Sequence, residues 1–144
     1  MTNTIAILGS TGSIGRQTLD VVRELGLSVA ALTANASVEQ MEAQVREFHP
    51  ALAVLTDETA AAELRVRLAD TETKVLSGEE GLLAAATLPQ ADTVLTAVVG
   101  MVGLKPTLAA IREGKRIALA NKETLVCAGE LVMEAARRYG AQIV

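Results

Sequence analysis

Three glycines near the amino terminus have a spacing that suits the binding of a phosphate group. Gly9, Gly12 and Gly15 form the pattern G-x-x-G-x-x-G directly after an apolar run, and an amphipathic segment follows them. In a strand-turn-helix unit such glycines let the main chain approach a diphosphate, and the helix N-terminus offers free N–H groups and a positive dipole end. The segment therefore predicts a dinucleotide-phosphate site, and the alternative is a turn with a purely structural role.

The residues after the glycines have the periodicity of an amphipathic helix. Its expected buried face is a set at helical spacing, namely Ile14, Thr18, Val21, Val22 and Leu25. Its expected exposed face carries charged and polar residues, namely Arg16, Gln17, Asp20, Arg23 and Glu24. The strand, the glycines and this helix together supply the context that gives the spacing its meaning.

A second candidate position is the polar stretch where the second predicted strand ends. In dinucleotide-binding folds an Asp or Glu at this place selects the free 2′-hydroxyl of NAD. This chain has Asn35, Ala36 and Ser37 there and no carboxylate, which favours NADP. Asn35, Ser37 and the amides of the next helix are the expected donors to the 2′-phosphate. Ser37 also fits the N-cap of that helix, and the two roles can coexist.

Two further candidate positions follow later strands. Gly100 and Gly103 come after the fifth predicted strand, where they either allow close approach to the nicotinamide side of a cofactor or form a tight turn. Asn121, Lys122 and Glu123 come where the sixth strand gives way to the last helix. Glu123 suits the positive end of a helix dipole, whereas Lys122 does not. We therefore expect Lys122 to contact an anion or a carbonyl group, and the alternative is that it is a surface lysine. Asn121 is either a helix cap or a ligand contact.

The composition restricts the classes of partner. With 144 residues, a net charge of −4 and no basic cluster, the chain is not expected to bind nucleic acid or an anionic membrane. It has no membrane-spanning apolar run and its N-terminus reads as a strand instead of a signal peptide, so we expect a soluble, cytoplasmic protein. Its single cysteine, Cys127, cannot form an internal disulfide. No residue pattern indicates a metal cluster or a nucleophilic triad, and His49 is expected to be structural.

Apolar runs alternate with helical patterns along the whole chain, which is typical of an α/β fold with a mostly parallel sheet. The predicted strands lie near 4–9, 28–34, 51–55, 73–76, 92–98, 116–120 and 141–144. Helices fill the gaps, with Ser37 and Gln40 in capping-box spacing and Asp57 and Ser77 as further caps. The later helices are predicted at about 57–69, 78–87, 103–113 and 122–139. Residues 1–144 are therefore expected to form one Rossmann-like, doubly wound domain with helices on both faces of the sheet.

The last residues of the sequence, 141–144, read as a strand that has barely begun. In α/β proteins ligand chemistry is placed at the carboxyl ends of strands and in the loops beyond them. We therefore expect this chain to be the N-terminal part of a longer enzyme.

These segments together resemble one enzyme family. The resemblance rests on GSTGSIG at 9–15, TLDVV at 18–22, VG at 99–100, PTLAAIR at 106–112 and LANKE at 119–123. They follow one another as in 1-deoxy-D-xylulose 5-phosphate reductoisomerase. The resemblance implies an NADPH-dependent enzyme that isomerises 1-deoxy-D-xylulose 5-phosphate and reduces the resulting aldehyde to 2-C-methyl-D-erythritol 4-phosphate, in the non-mevalonate route to isoprenoids. It also implies a divalent metal, Mg²⁺ or Mn²⁺, and a homodimer.

The resemblance also implies roles by position. The implied cofactor contacts are Thr11, Gly12, Ser13 and Ile14 in the loop, Asn35, Ala36 and Ser37 at the 2′-phosphate, and Asn121 and Glu123. Lys122 matches a contact to the sugar phosphate substrate, and relatives often have a lysine or arginine in place of Ala36. The metal-binding carboxylates of the family follow the strand that begins at Ala141, so no metal ligand or catalytic residue is implied within this chain. Alone, it should bind NADPH weakly and turn over nothing.

Two other functions stay open at this point. One is another NADP-dependent reductase with a similar glycine loop, such as a semialdehyde dehydrogenase, whose catalytic cysteine and histidine are not evident here. The other is a non-catalytic module that binds NADPH to regulate a partner, and a complete final strand and helix would be expected of it.

Overall fold

The computed structural model describes residues 4–97, 104–119 and 136–140. Strands and helices alternate in the order β1 (Thr4–Leu8), α1 (Ser13–Leu25), β2 (Ser28–Ala34), α2 (Val38–Phe48), β3 (Leu52–Leu55), α3 (Glu58–Arg67), β4 (Lys74–Ser77), α4 (Gly78–Ala86), β5 (Thr93–Thr96), α5 (Leu104–Arg112) and β6 (Arg116–Leu119). Residues 136–139 are helical, while the rest of the predicted helix 122–139 and the predicted strand 141–144 lie outside the described residues. No helix in these ranges is long and apolar enough to cross a lipid bilayer.

The six strands form one parallel sheet in the order β4-β3-β2-β1-β5-β6. The chain winds outward from β1 to β4 and then returns to the other side of β1 with β5. The strand order therefore reverses at β1, and open α/β sheets bind ligands outside the carboxyl ends of the strands at such a point. The doubly wound, Rossmann-like α/β fold predicted from the sequence is confirmed.

Two apolar clusters cover the two faces of the sheet. One contains Ala6 and Leu8 of β1 together with side chains of α4 and α5. The other contains Ile7 of β1 together with side chains of α1, α2 and α3. Successive residues of β1 face opposite clusters because side chains alternate along a strand. Aliphatic side chains make up nearly all of both clusters, as expected of a chain with one Phe, one Tyr and no Trp.

Helix α1 buries a face that shares only Val22 with the one predicted. Its buried residues are Gly15, Leu19 and Val22. Three residues of the predicted face are exposed instead, namely Ile14 at 44%, Val21 at 51% and Leu25 at 66%. The prediction left out Leu19, which is buried, and Gly15, which has no side chain to add to an apolar pattern although it is the point where α1 touches the preceding loop.

The cap of α3 is confirmed. The Asp57 carboxylate accepts hydrogen bonds from the amides of Thr59 at 2.9 Å and Ala60 at 3.4 Å. These amides are among those that have no partner within a helix, and the carboxylate also suits the positive end of the helix dipole. Ser77 occupies the N-cap position of α4, but its side chain accepts no hydrogen bond from that helix.

Candidate functional site

The glycine loop leaves β1 at the carboxyl edge of the sheet and is anchored to the neighbouring strand β2. Gly9 has a φ of +93°, a conformation that glycine adopts without steric cost. The amides of Gly9 and Ser10 donate to the carbonyl oxygen of Thr33 at 3.1 and 2.8 Å. The Gly9 amide also donates to Thr33 Oγ1 at 3.0 Å. Because Thr33 is fully buried in β2, these bonds fix the start of the loop relative to the sheet.

The loop enters α1 through an N-terminus that has no side-chain cap. Gly12 is the N-cap residue, and the first helical hydrogen bond runs from the Arg16 amide to the Gly12 carbonyl oxygen at 2.9 Å. The earlier amides of the first turn, which include those of Ser13 and Ile14, therefore have no partner within the helix. The first turn also contains no acidic residue. Such a helix end attracts an anion through its N–H groups and its dipole.

The two later glycines of the loop have different surroundings. A methyl group on Gly12 would meet no atom within 4 Å, so the loop is open to a ligand at this point. A methyl group on Gly15 would lie against the main chain of the loop. Gly15 is therefore the point where α1 packs closely against the loop.

The N-terminus of α2 lies next to the glycine loop. Thr11 Oγ1 donates to Ser37 Oγ at 3.4 Å, which joins the two segments. The capping box predicted for Ser37 and Gln40 is wrong, because the Ser37 side chain accepts no hydrogen bond from α2. Ser37 has a ψ of 76°, outside the extended region from which an N-cap side chain reaches the first-turn amides. A second helix N-terminus without a side-chain cap therefore lies beside the first.

Asn35 is oriented by the loop that follows β3. The Thr56 hydroxyl donates to Asn35 Oδ1 at 2.7 Å, and the Asp57 amide donates to the Asn35 carbonyl oxygen at 3.0 Å. Because its side-chain oxygen is the acceptor, Asn35 keeps two Nδ2 donors for a ligand. Residues 35–37 contain no carboxylate, and the carboxylate of Asp57 is engaged by the amides of α3. The end of β2 therefore offers neutral donors to an anion.

Sequence reasoning missed two side chains that hold these segments. Gln44 on α2 exchanges two hydrogen bonds with Ser10 of the glycine loop. A polar residue directly beside the fully buried Met41 and Val45 is a signal that could have revealed it. Thr56 lies in a loop and had no comparable signal, since its partner is 21 residues away.

On the other side of β1, the carboxyl ends of β5 and β6 face the same edge of the sheet. Thr96 ends β5 and Thr107 lies on α5, and their hydroxyl oxygens are 3.0 Å apart with both residues fully buried. This bond ties the carboxyl end of β5 to α5. Four predicted site residues, Gly100, Asn121, Lys122 and Glu123, lie outside the described residues.

The shifted pKa values in the described part of the chain belong to residues outside the glycine loop and the end of β2. Hydrogen bonds from Arg67 and Arg46 lower the pKa of Glu42, a partly buried residue on α2. Burial lowers the pKa of Lys115, whose ammonium donates to the Leu88 carbonyl oxygen at 2.8 Å. Among the described residues, no three His, Cys, Asp or Glu side chains lie together so as to hold a metal ion. The polar groups of the glycine loop and the end of β2 are instead amides, hydroxyls and the Asn35 amide side chain, which are uncharged groups able to donate hydrogen bonds.

A hollow of about 700 Å³ opens at the opposite edge of the sheet, at the amino ends of β3 and β4. Arg46 in its lining donates to Asp70 at 3.0 Å, and the Thr73 hydroxyl donates to the Pro50 carbonyl oxygen at 2.7 Å. His49, also in the lining, ends α2 with a φ of +49°, which fits the structural role predicted for it. Several polar groups that line this hollow are thus already hydrogen-bonded within the protein.

The glycine loop, the end of β2 and the later segments of the chain can be compared with known proteins. The family model of 1-deoxy-D-xylulose 5-phosphate reductoisomerase matches residues 5–129. This chain belongs to the 1-deoxy-D-xylulose 5-phosphate reductoisomerase family. The family resemblance read from the sequence is confirmed, and a semialdehyde dehydrogenase or a separate NADPH sensor is not favoured. The matched range includes Asn121, Lys122 and Glu123.

Individual members of the reductoisomerase family are similar over nearly the whole chain. The 1-deoxy-D-xylulose 5-phosphate reductoisomerase of Agathobacter rectalis is 51% identical over 141 residues, which are 97% of this chain and 37% of that protein. A crystal structure of DOX-P reductoisomerase in complex with magnesium has a TM-score of 0.95 at 42% identity, and the match covers 100% of this chain and 37% of that one. The reductoisomerase from Zymomonas mobilis in complex with NADPH has a TM-score of 0.94 at 40% identity, covering 100% and 38%. The chain therefore spans about 37% of the length of the curated relatives that it matches.

Proposed function

We propose that this chain holds NADPH by the adenosine diphosphate half of the cofactor, at the carboxyl ends of β1 and β2. The observation that carries the proposal is the Thr11 to Ser37 hydrogen bond, which joins two helix N-termini without side-chain caps. One N-terminus suits the diphosphate and the other suits the 2′-phosphate. The similarity to the Zymomonas mobilis enzyme in complex with NADPH supports this placement.

The glycine loop is proposed to receive the diphosphate. Gly12 leaves open space, and the first-turn amides at Ser13 and Ile14 are free of helical partners. The Thr11 hydroxyl lies at the entrance between the two helices. Ile14 is 44% exposed at the start of α1 and offers an apolar surface that a bound cofactor would cover.

The end of β2 is proposed to bind the 2′-phosphate through neutral groups. The donors are the Nδ2 group of Asn35, the Ser37 hydroxyl and the main chain around Ala36. The hydrogen bond from Thr56 supports this role because it leaves the Asn35 amide group free to donate. The absence of a carboxylate from residues 35–37 avoids repulsion of a phosphate dianion.

The remaining cofactor contacts are proposed from the family match. They are Gly100, Asn121 and Glu123, with Lys122 as a contact to the sugar phosphate substrate. We assign the complete enzyme the family reaction, in which 1-deoxy-D-xylulose 5-phosphate is isomerised and the resulting aldehyde is reduced by hydride from NADPH to 2-C-methyl-D-erythritol 4-phosphate. Mg²⁺ or Mn²⁺ is proposed for the complete enzyme, with ligands outside the residues described here. A homodimer in the cytoplasm is proposed on the same basis.

The 144-residue chain by itself is expected to bind NADPH without turnover. It spans about 37% of the length of its curated relatives, and hydride transfer requires the substrate to be held against the nicotinamide ring. The described residues supply one wall of such a site.

Titration of the chain with NADPH and with NADH, followed by cofactor fluorescence, tests the proposal. We expect saturable binding of both, with tighter binding of NADPH because only NADPH carries the 2′-phosphate. Equal affinities would contradict the role proposed for residues 35–37, and no saturation would contradict the site as a whole. Oxidation of NADPH by this chain on addition of 1-deoxy-D-xylulose 5-phosphate and Mn²⁺ would contradict the expected lack of turnover.

A further inference from the structure

Ser10 lies within the glycine loop, yet its side chain faces the protein interior and is fully buried. Its hydroxyl donates to Gln44 Oε1 at 2.7 Å, and Gln44 Nε2 donates back to the Ser10 carbonyl oxygen at 2.9 Å. One amide side chain therefore holds both the side chain and the main chain of a single loop residue. Such a pair of bonds fixes an orientation as well as a distance.

Gln44 transmits the position of α2 to the loop. Helix α2 is itself held by Met41 and Val45, which are fully buried in the apolar cluster beneath it. The same helix meets the loop a second time through Ser37 and Thr11. The glycine loop is thus attached to α2 at two points, one at the N-terminus of the helix and one two turns further along.

A glycine loop needs such an attachment in order to bind a diphosphate well. Gly9 and Gly12 allow many main-chain conformations, and ordering them when the ligand arrives would reduce affinity. Removing the Gln44 amide would also leave the Ser10 carbonyl oxygen without a hydrogen bond from this side chain in a part-buried place. The loop would then be free to move away from the conformation that the ligand requires.

We propose that Gln44 is a positioning residue that holds the glycine loop in its diphosphate-binding conformation without touching the cofactor. The proposal rests on the NADPH-binding function proposed above. Gln44 is proposed to act on the binding of the diphosphate and not on that of the 2′-phosphate. Its loss should therefore weaken ligands that contain a diphosphate and leave other ligands unaffected. A merely structural role would lower the stability of the chain and leave its affinities unchanged.

The test compares Gln44→Met with the unaltered chain, because methionine has a similar shape and cannot make either hydrogen bond. We expect the affinities for NADPH and NADH to fall by the same factor, roughly tenfold, since both ligands contain the diphosphate. Binding of adenosine 2′-monophosphate, which lacks the diphosphate, is expected to stay within about twofold of the unaltered chain. The matched control is Gln40→Met, an exposed position one turn earlier on α2, which is expected to change none of the three affinities.

Unchanged NADPH and NADH affinities in Gln44→Met, with or without a lower unfolding temperature, would overturn the inference. Loss of adenosine 2′-monophosphate binding in the folded variant would do so as well, because the effect would not be confined to the diphosphate. If Gln44→Met does not fold, Ser10→Ala is the second variant, because it removes only the hydrogen bond of the hydroxyl group. It is expected to weaken the binding of NADPH and of NADH equally, by about threefold. A lack of NADPH binding by the unaltered chain would instead contradict the proposed function itself.

Discussion

Gly15 at the start of α1 is packed against the main chain of Gly9 so closely that a methyl group on Gly15 would lie 2.0 Å from the Gly9 carbonyl oxygen. The same methyl group would lie 2.7 Å from the Cα atom of Ser10. The third glycine of the motif is therefore a contact between helix and loop. Gly12, three residues earlier, has open space instead, so the two glycines can be separated by experiment.

Gly15→Ala is expected to destabilise the chain by on the order of 3 kcal/mol, because main-chain atoms must move to admit the methyl group. Urea unfolding of the purified variant measures this loss. Gly12→Ala is the matched control, and its φ of −78° suits alanine. It is expected to cost at most about 1 kcal/mol and to weaken NADPH binding by filling the space of the diphosphate. Equal stability losses in the two variants would contradict the separate roles.

Asn35→Asp is expected to reverse the preference between the two cofactors. The Thr56 hydroxyl can still donate to the new carboxylate, so the side chain should keep its position. A negative charge there repels the 2′-phosphate and can accept a hydrogen bond from the 2′-hydroxyl of NADH. We expect the NADPH affinity to fall at least about tenfold and the NADH affinity to rise, as measured by parallel titrations.

The opposite change at the neighbouring position provides the control. Ala36→Lys places a cation next to Asn35 and Ser37, and it is expected to tighten the binding of NADPH severalfold with little effect on the binding of NADH. The gain should shrink as salt is added, because exposed charges are screened. If Asn35→Asp affected both cofactors equally, residues 35–37 would not be the 2′-phosphate site.

The ion pairs of Glu42 give the fold a pH dependence at the acid end. Arg67 and Arg46 lower the pKa of Glu42 in the folded state below its ordinary value of 4.5, so this carboxylate stabilises the fold above pH 4.5. That contribution is lost as the pH falls through the lowered folded-state pKa. Glu42→Gln is therefore expected to be less stable than the unaltered chain at pH 7, with the difference shrinking steadily below pH 4.5.

Urea unfolding at several pH values measures this difference. Glu24→Gln is the control, because Glu24 is exposed and forms no ion pair within the described part of the chain. A stability difference for Glu42→Gln that stayed constant from pH 7 to pH 3 would show that the carboxylate charge is not responsible.

The order of strands and helices could be predicted because each parallel strand is a short apolar run. The helices between the strands are marked by an amphipathic pattern, as in α1 and α2, or by a capping residue, as Asp57 marks α3. The glycine spacing and its place after β1 also located the loop correctly. The face of α1 was predicted wrongly because the buried Leu19 was left out and because Gly15, which packs against the loop, has no side chain to add to the apolar pattern. The capping box predicted for Ser37 was wrong because of the local backbone conformation, which the type of residue does not reveal.

Side-chain pairs between distant segments were beyond sequence reasoning. Ser10 and Gln44 are 34 residues apart, and Asn35 and Thr56 are 21 residues apart. Whether two such polar residues meet depends on the register of neighbouring strands and the rotation of α2, which only the folded chain defines. Gly100, Asn121, Lys122 and Glu123 stay predictions, because they lie outside the described residues.

NADPH is proposed to bind across the carboxyl ends of β1 and β2, and ¹H–¹⁵N NMR spectra of the chain recorded during an NADPH titration locate the bound cofactor residue by residue. We expect saturable shifts at the amides of residues 9–15 and 35–38. Residues 70–73, which line the hollow at the opposite edge, should not shift. Saturable shifts at 70–73 with unmoved signals from the glycine loop, or no saturable shifts at all, would contradict the claim.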